Sequence, residues 1–99
     1  VYYMYSIHFE WNEKKNRENQ RKHGVSFEEA QTVFLDENAI EYFDLDHSGH
    51  EDRFILLGVS ARLRVAVVCY CHRQGNVIRL ISARKADNRE EKDYWETSK

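Results

Sequence analysis

The residues best equipped for chemistry lie in the second half of the chain. Arg53, Arg62, Arg64, Arg73, Arg79, Arg84 and Lys85 follow one another with no acid between them. Guanidinium groups stay charged at any working pH and grip phosphate or carboxylate with two parallel hydrogen bonds. The segment before them is the reverse: Glu28, Glu29, Asp36, Glu37, Glu41, Asp44, Asp46, Glu51 and Asp52 occur without a single Lys or Arg. The net charge of −2 hides this asymmetry. Two expectations follow: a phosphate-binding face on the basic half, or a solvated strand surface that pairs internally with the acidic half.

Within the basic half, Arg79 sits among Val77, Ile78, Leu80 and Ile81, where a charge is costly unless paired or turned to a ligand groove. Arg84 closes Ile81-Ser82-Ala83-Arg84 at a strand end. Ser82 shares its strand face, because side chains alternate with period two, and can hold a phosphate oxygen. Arg53 follows Glu51 and Asp52, which can tie it down. Arg73 stands beside His72, the histidine nearest the basic strands and a candidate for acid–base work near neutrality.

No His, Cys, Asp and Glu spacing matches a zinc site. His47 and His50, with Asp44 and Asp46, can hold a cation only loosely, and a solvated loop is the expected reading. No glycine-rich phosphate loop is present, so neither metal nor nucleotide cofactor is expected.

These side chains need a scaffold, and the 99 residues suffice for one domain, 1–99. An apolar fraction of 41% with 13% aromatics argues for a packed core. No apolar run approaches the roughly 20 residues of a membrane helix, and no signal peptide is expected from the opening residues. Cys69 and Cys71, two apart on one strand, point the same way and are badly placed for a mutual disulfide. A cytoplasmic location is expected.

Local signals give the element order β-α-α-β-β-β-β-α. Tyr5–Trp11 alternates weakly, as a short strand does. Asn12–His23 is a helix stopped by Gly24, polar enough to lie on the surface. Ser26 to Glu29 reads as a reciprocal capping box, opening a second helix to Leu35 with an apolar stripe of Phe27, Ala30, Val33 and Phe34. Strands are expected at 39–43, 53–60, 64–72 (Val-rich, hence central) and 77–83, with a hairpin turn at Arg73–Asn76. Asp87 caps a last helix, docked by Tyr94 and Trp95. Short connections imply an antiparallel meander in an α+β domain, with helices on one side.

Three segments occur together here: Phe9-Glu-Trp-Asn12, then Asn19-Gln-Arg-Lys-His-Gly-Val-Ser-Phe-Glu-Glu-Ala30, then Ile78-Arg-Leu-Ile-Ser-Ala-Arg84. With Glu51-Asp-Arg53, Gly58 and the closing Arg89–Tyr94, the chain resembles the BrnT family, toxins of bacterial type II toxin–antitoxin pairs, from Ile7 to Tyr94. It departs from the family pattern at Asn12, where Asp is usual, and at Cys71, where Thr is commoner.

The resemblance implies a RelE-like fold and metal-independent endoribonuclease activity that arrests translation. It also implies a cognate BrnA-like antitoxin carrying a DNA-binding domain, through which the complex binds its own promoter, with a toxin dimer possible in that complex. For RNA as substrate, Arg79, Arg84, Arg53, His72, Arg73 and Ser82 are the catalytic candidates. Arg64, Lys22, His23, Lys85 and Tyr94 are candidates for RNA contacts, although His23 also suits a helix C-terminus and Tyr94 also suits docking of the last helix. The competing expectation is a non-catalytic module whose basic sheet engages an acidic partner protein.

Overall fold

The computed structural model describes residues 6–97. Strand β1 (His8–Glu10) leads into α1 (Glu13–His23) and α2 (Phe27–Thr32), which ends in a 3-10 turn at Val33–Leu35. Strands β2 (Ile40–Phe43), β3 (Arg53–Val59), β4 (Val65–Arg73) and β5 (Val77–Lys85) follow, with a second 3-10 turn at Leu45–His47 between β2 and β3. Helix α3 (Asn88–Thr97) closes the chain. Tyr5, expected in the first strand, lies outside the described residues.

The local signals act as expected at most element ends. The Asn12 side chain accepts from the Lys15 amide, and Gly24 at φ 75° stops α1. Ser26 caps α2 by accepting from the Glu29 amide at 3.0 Å. Asp87 and Glu90 form the reciprocal box at α3, at 2.8 and 2.9 Å. The Glu29 carboxylate does not reach back to Ser26; it is drawn instead to Arg64 and Ser60.

The sheet order is β1-β5-β4-β3-β2. Strands β2 to β5 form the antiparallel meander, with β4 central. The expected all-antiparallel sheet is corrected at one edge: β1 pairs with β5 in parallel, so the sheet is mixed. No hairpin joins those two strands, so the rule of short connections does not govern β1.

One face carries the main core, where Phe27, Ala30, Val33 and Phe34 pack on Leu56, Val68, Tyr70, Ile78 and Leu80. Helix α1 has almost no apolar side chain to offer and docks through two buried asparagines. Asn19 donates to the Val25 and Ala83 carbonyls and accepts from the Ala83 amide, while Asn16 accepts from the Phe27 amide. Polar composition therefore did not keep that face of α1 in water, because both amide groups find partners when buried.

The expectation of helices on one side also fails. Helix α3 lies on the opposite face, where Tyr94 packs with Leu57, Val65 and Val67, while Trp95 stays exposed. Gly58 makes room for this joint. A Cβ there would come within 3.0 Å of the Asp36 carboxylate, which accepts from the Val59 amide and the Tyr94 hydroxyl.

Candidate active site

Register decides which side chains share the face that α3 only partly covers. Asp44 extends β2 by one residue, its amide donating to the Arg53 carbonyl at 2.8 Å. Across the strands Arg53 then stands opposite Cys71, Cys71 opposite Arg79, and Arg79 opposite Glu10. The next rows hold Ile55, Cys69 and Ser82, then Leu57, Val67 and Arg84. In a strictly alternating strand, residues five apart fall on opposite faces, which would separate Arg79 from Arg84. A β-bulge prevents this: Cys69 pairs with Ser82 and Tyr70 with Leu80, so Ile81 is the extra residue.

Between these rows and the 3-10 turn after β2 lies a cleft of about 380 Å³. Its polar lining comes from Arg53, Ser82 and Arg84 on the strands and from Asp44, Asp46 and His47 on the turn. Arg84 is held by Glu90 through two hydrogen bonds of 2.7 and 2.8 Å, which keep the Glu90 carboxyl below the usual carboxylate range. Arg53 differs. Its Nε is buried and has no hydrogen-bond partner among the described residues, and no carboxylate there pairs with it. Glu51, expected to tie Arg53 down, pairs with Arg73. A buried donor without a partner is costly, and a shift of the Arg53 side chain onto an anionic ligand in the adjoining cleft would relieve that cost.

The remaining candidates are placed elsewhere. Arg79 is on the same face, paired with Glu10 at 2.6 Å. His72 is on the other face, its ring edge-on to Phe54 and Tyr70, so the sheet separates it from Arg53, Ser82 and Arg84. Arg64 reaches back to Glu29 and to the Gly24 carbonyl at the end of α1. Lys85 passes close to Gly24, and Lys22 and His23 form the last turn of that helix. These four therefore gather at the C-terminal end of α1, away from the cleft. Tyr94 is 2% exposed and docks α3, which rules out stacking on a base in this state.

The cleft also contains groups that sequence reasoning assigned at most to a loose cation. His47 Nδ1 lies 3.0 Å from both carboxylate oxygens of Asp44. The signal was Asp-x-x-His in a turn, which is ambiguous until the fold shows which hollow it borders. Among the described residues no three His, Cys, Asp or Glu side chains are grouped to hold a metal ion. Cys69 and Cys71 are free thiols on the cleft side, and burial pushes the Cys71 thiol up.

The sequence pattern of the family described as "Ribonuclease toxin, BrnT, of type II toxin-antitoxin system" matches residues 11–90. The chain belongs to the BrnT family. The fold agrees with the crystal structure of the Brucella abortus ribonuclease toxin BrnT, with a TM-score of 0.64. That likeness covers 83% of this chain and 99% of the Brucella chain at 21% identity. No curated protein matches the sequence. The BrnT pattern spans α1, α2, the cleft turn and all of β3 to β5, so every polar group lining the cleft falls inside it.

Among the described residues, no helix is long and apolar enough to cross a membrane.

Proposed function

We propose that this chain is the toxin of a type II toxin–antitoxin pair and cuts RNA in the cleft between β5 and the turn after β2, without a metal ion. The observation that carries the reading is the Arg53 guanidinium, its Nε buried without a partner among the described residues, set in one cleft with Ser82 and Arg84 in a chain of a ribonuclease toxin family. The 2′-hydroxyl of a ribonucleotide attacks the adjacent phosphorus, and the crowded phosphorane gains negative charge. Fixed guanidinium groups stabilise that charge without reorganising. Arg53 and Arg84 are the proposed phosphate clamps, Ser82 holds a non-bridging oxygen, and Arg79 extends the positive field. Lys22, His23 and Lys85 are proposed as a second patch that steers the RNA backbone, while Arg64 beside them is held by Glu29. Arg73, paired with Glu51, and His72, on the other face of the sheet, are assigned no step.

In this reading cleavage arrests translation in the cytoplasm, and a cognate BrnA-like antitoxin neutralises the toxin and carries the complex to its own promoter. Whether two toxins share that complex is read from its mass. The test of activity is purified protein with labelled RNA in EDTA, beside Arg53→Ala and Arg84→Ala. Cleavage leaving 2′,3′-cyclic phosphate ends, lost in both variants, is expected. Affinity should weaken steeply with salt, because phosphate contacts release counterions. An EDTA-sensitive activity would remove the metal-free mechanism.

A second reading has its own support. Arg64, Arg73, Arg79 and Arg84 are each paired with an internal carboxylate, which lowers the field available to RNA. A non-catalytic module gripping an acidic protein would show salt-sensitive binding to that protein and no RNA cleavage.

A further inference from the structure

The cleft holds a phosphate-binding end but, among the strand residues proposed for it, no group suited to take a proton. The turn after β2 supplies one. We infer that His47 is the general base of the cleft and that Asp44 is its positioning residue, an inference that rests on the ribonuclease reading above.

Four observations support the pair. His47 Nδ1 lies 3.0 Å from both Oδ1 and Oδ2 of Asp44, so a neutral ring donates its Nδ1 proton there and keeps its lone pair on Nε2. Asp44 is anchored. It is 8% exposed, its amide donates to the Arg53 carbonyl, and its own carbonyl accepts from Ser48 Oγ at 2.5 Å. The Ser48 hydroxyl in turn accepts from the Arg53 amide at 2.9 Å, so one small network fixes the turn to the strand that carries the phosphate clamp. The His47 side chain, at 69% exposed, is open to an incoming ligand. Finally, Asp44 stands opposite Arg53 yet spends its carboxylate on His47, which leaves the Arg53 guanidinium for phosphate. Of the other histidines, His72 is on the far face of the sheet, and His50 borders an adjoining hollow that shares His47 and Arg53 but not Ser82 or Arg84.

The step balances within the substrate and water. His47 Nε2 takes the proton of the 2′-hydroxyl as the O2′–P bond forms. The P–O5′ bond breaks, the departing O5′ takes a proton from water, and the imidazolium gives its proton to the hydroxide left behind. The products are a 2′,3′-cyclic phosphate and a 5′-hydroxyl, with no metal or redox partner involved.

The experiment is single-turnover cleavage of labelled RNA, offered free and on translating ribosomes, by wild type, His47→Ala, Asp44→Asn and His50→Ala. His47→Ala should lose about 10²–10⁴-fold in rate, the usual range for a positioned acid or base, while RNA binding persists. Added imidazole should restore part of that rate, which a structural role would not allow. Asp44→Asn should lower the maximal rate without changing the RNA concentration that half-saturates it, and His50→Ala should match wild type. Wild-type rates from His47→Ala would overturn the assignment and leave the ribonuclease reading standing. Loss of RNA binding without imidazole rescue would also overturn it, making His47 a binding contact. No cleavage by wild type on either substrate would overturn both readings. Circular dichroism of each variant checks that the fold persists, above all for Asp44→Asn, whose site is buried.

Discussion

Two arginine–carboxylate pairs sit on opposite sides of the sheet and have different surroundings. On the helix-covered side, Glu29 is 5% exposed and Arg64 26%, and Glu29 also accepts from the Ser60 hydroxyl. On the cleft side, Glu90 is 29% exposed and Arg84 43%, bordered by an open hollow. The first pair has no room for a competitor, so it locks α2 to the start of β4. The second can exchange its carboxylate for a phosphate of similar geometry, at the small net cost typical of a solvated ion pair. The same residue types are therefore structural where the helices close over them and available for function where α3 stops short.

The widest separation between the two sides should appear in activity. Arg53→Ala is expected to slow RNA cleavage by about 10²–10³-fold, the range for losing one donor to developing charge, with an unchanged melting temperature. Measuring the rate and the thermal midpoint on one preparation tests this, and a fall in stability equal to the loss of rate would erase the contrast.

On the closed side the effect should fall on stability alone. Asn19→Ala strips three hydrogen bonds from the joint between α1 and β5 and leaves buried backbone groups unpaired, for about 2–4 kcal/mol in denaturant unfolding. Cleavage per folded molecule should not change.

Glu29 sharpens the comparison through pH. The Arg64 hydrogen bond holds its carboxyl below the ordinary range in the folded state. A depressed folded pKa means the stability is fully present above the unfolded value of about 4.3 and is lost as pH falls through the folded one. Glu29→Gln should therefore destabilise at neutral pH by about 3 kcal/mol, as expected when one partner of a buried pair is removed. The gap from wild type should close in acid, as followed by melting temperature against pH. A gap independent of pH would mean that packing, not charge, holds the joint.

Glu90→Gln should act in the opposite direction at the cleft. Freed of its carboxylate, Arg84 should bind RNA several-fold more tightly in a titration, and stability should drop only slightly. Smallest of all is Asn12→Asp. The side chain here accepts from the Lys15 amide, a role that Asp fills equally well at a helix start, so cleavage and stability should both stay at wild type. A large change in rate would bring this position into the site.

The parts of the molecule that were legible in the sequence are those settled by near neighbours. Asn12, Gly24, Ser26 and Asp87 mark helix ends because each satisfies backbone groups within four residues. Runs of apolar and β-branched residues located β3, β4 and β5, and the series of arginines singled out Arg53 and Arg84, which the fold brings to one cleft. The rest depends on contacts distant in sequence. Nothing near β1 reveals that it will lie parallel to β5, since their partnership is made across the whole chain. Trp95 and Tyr94 are adjacent aromatics, and the direction of α3 chooses between them. His72 is a candidate in the sequence because it is the histidine nearest the basic strands, but neighbours on a strand face opposite ways, and its ring turns from the cleft to Phe54 and Tyr70. His47, in an acidic loop, borders the arginines only because Asp44 continues the ladder to Arg53.

The bulge at Ile81 has a consequence for how related chains are aligned. Removing that residue would leave Leu80 and Ala83 turned to the core and Arg79, Ser82 and Arg84 turned outward, since their partners on β4 already skip it. A one-residue gap at this point would therefore take only the apolar Ile81 from the cleft lining, and a homologue lacking it would have a straighter strand with the same arginines on display. Two arginines four apart in one relative and five apart in another would be the same pair.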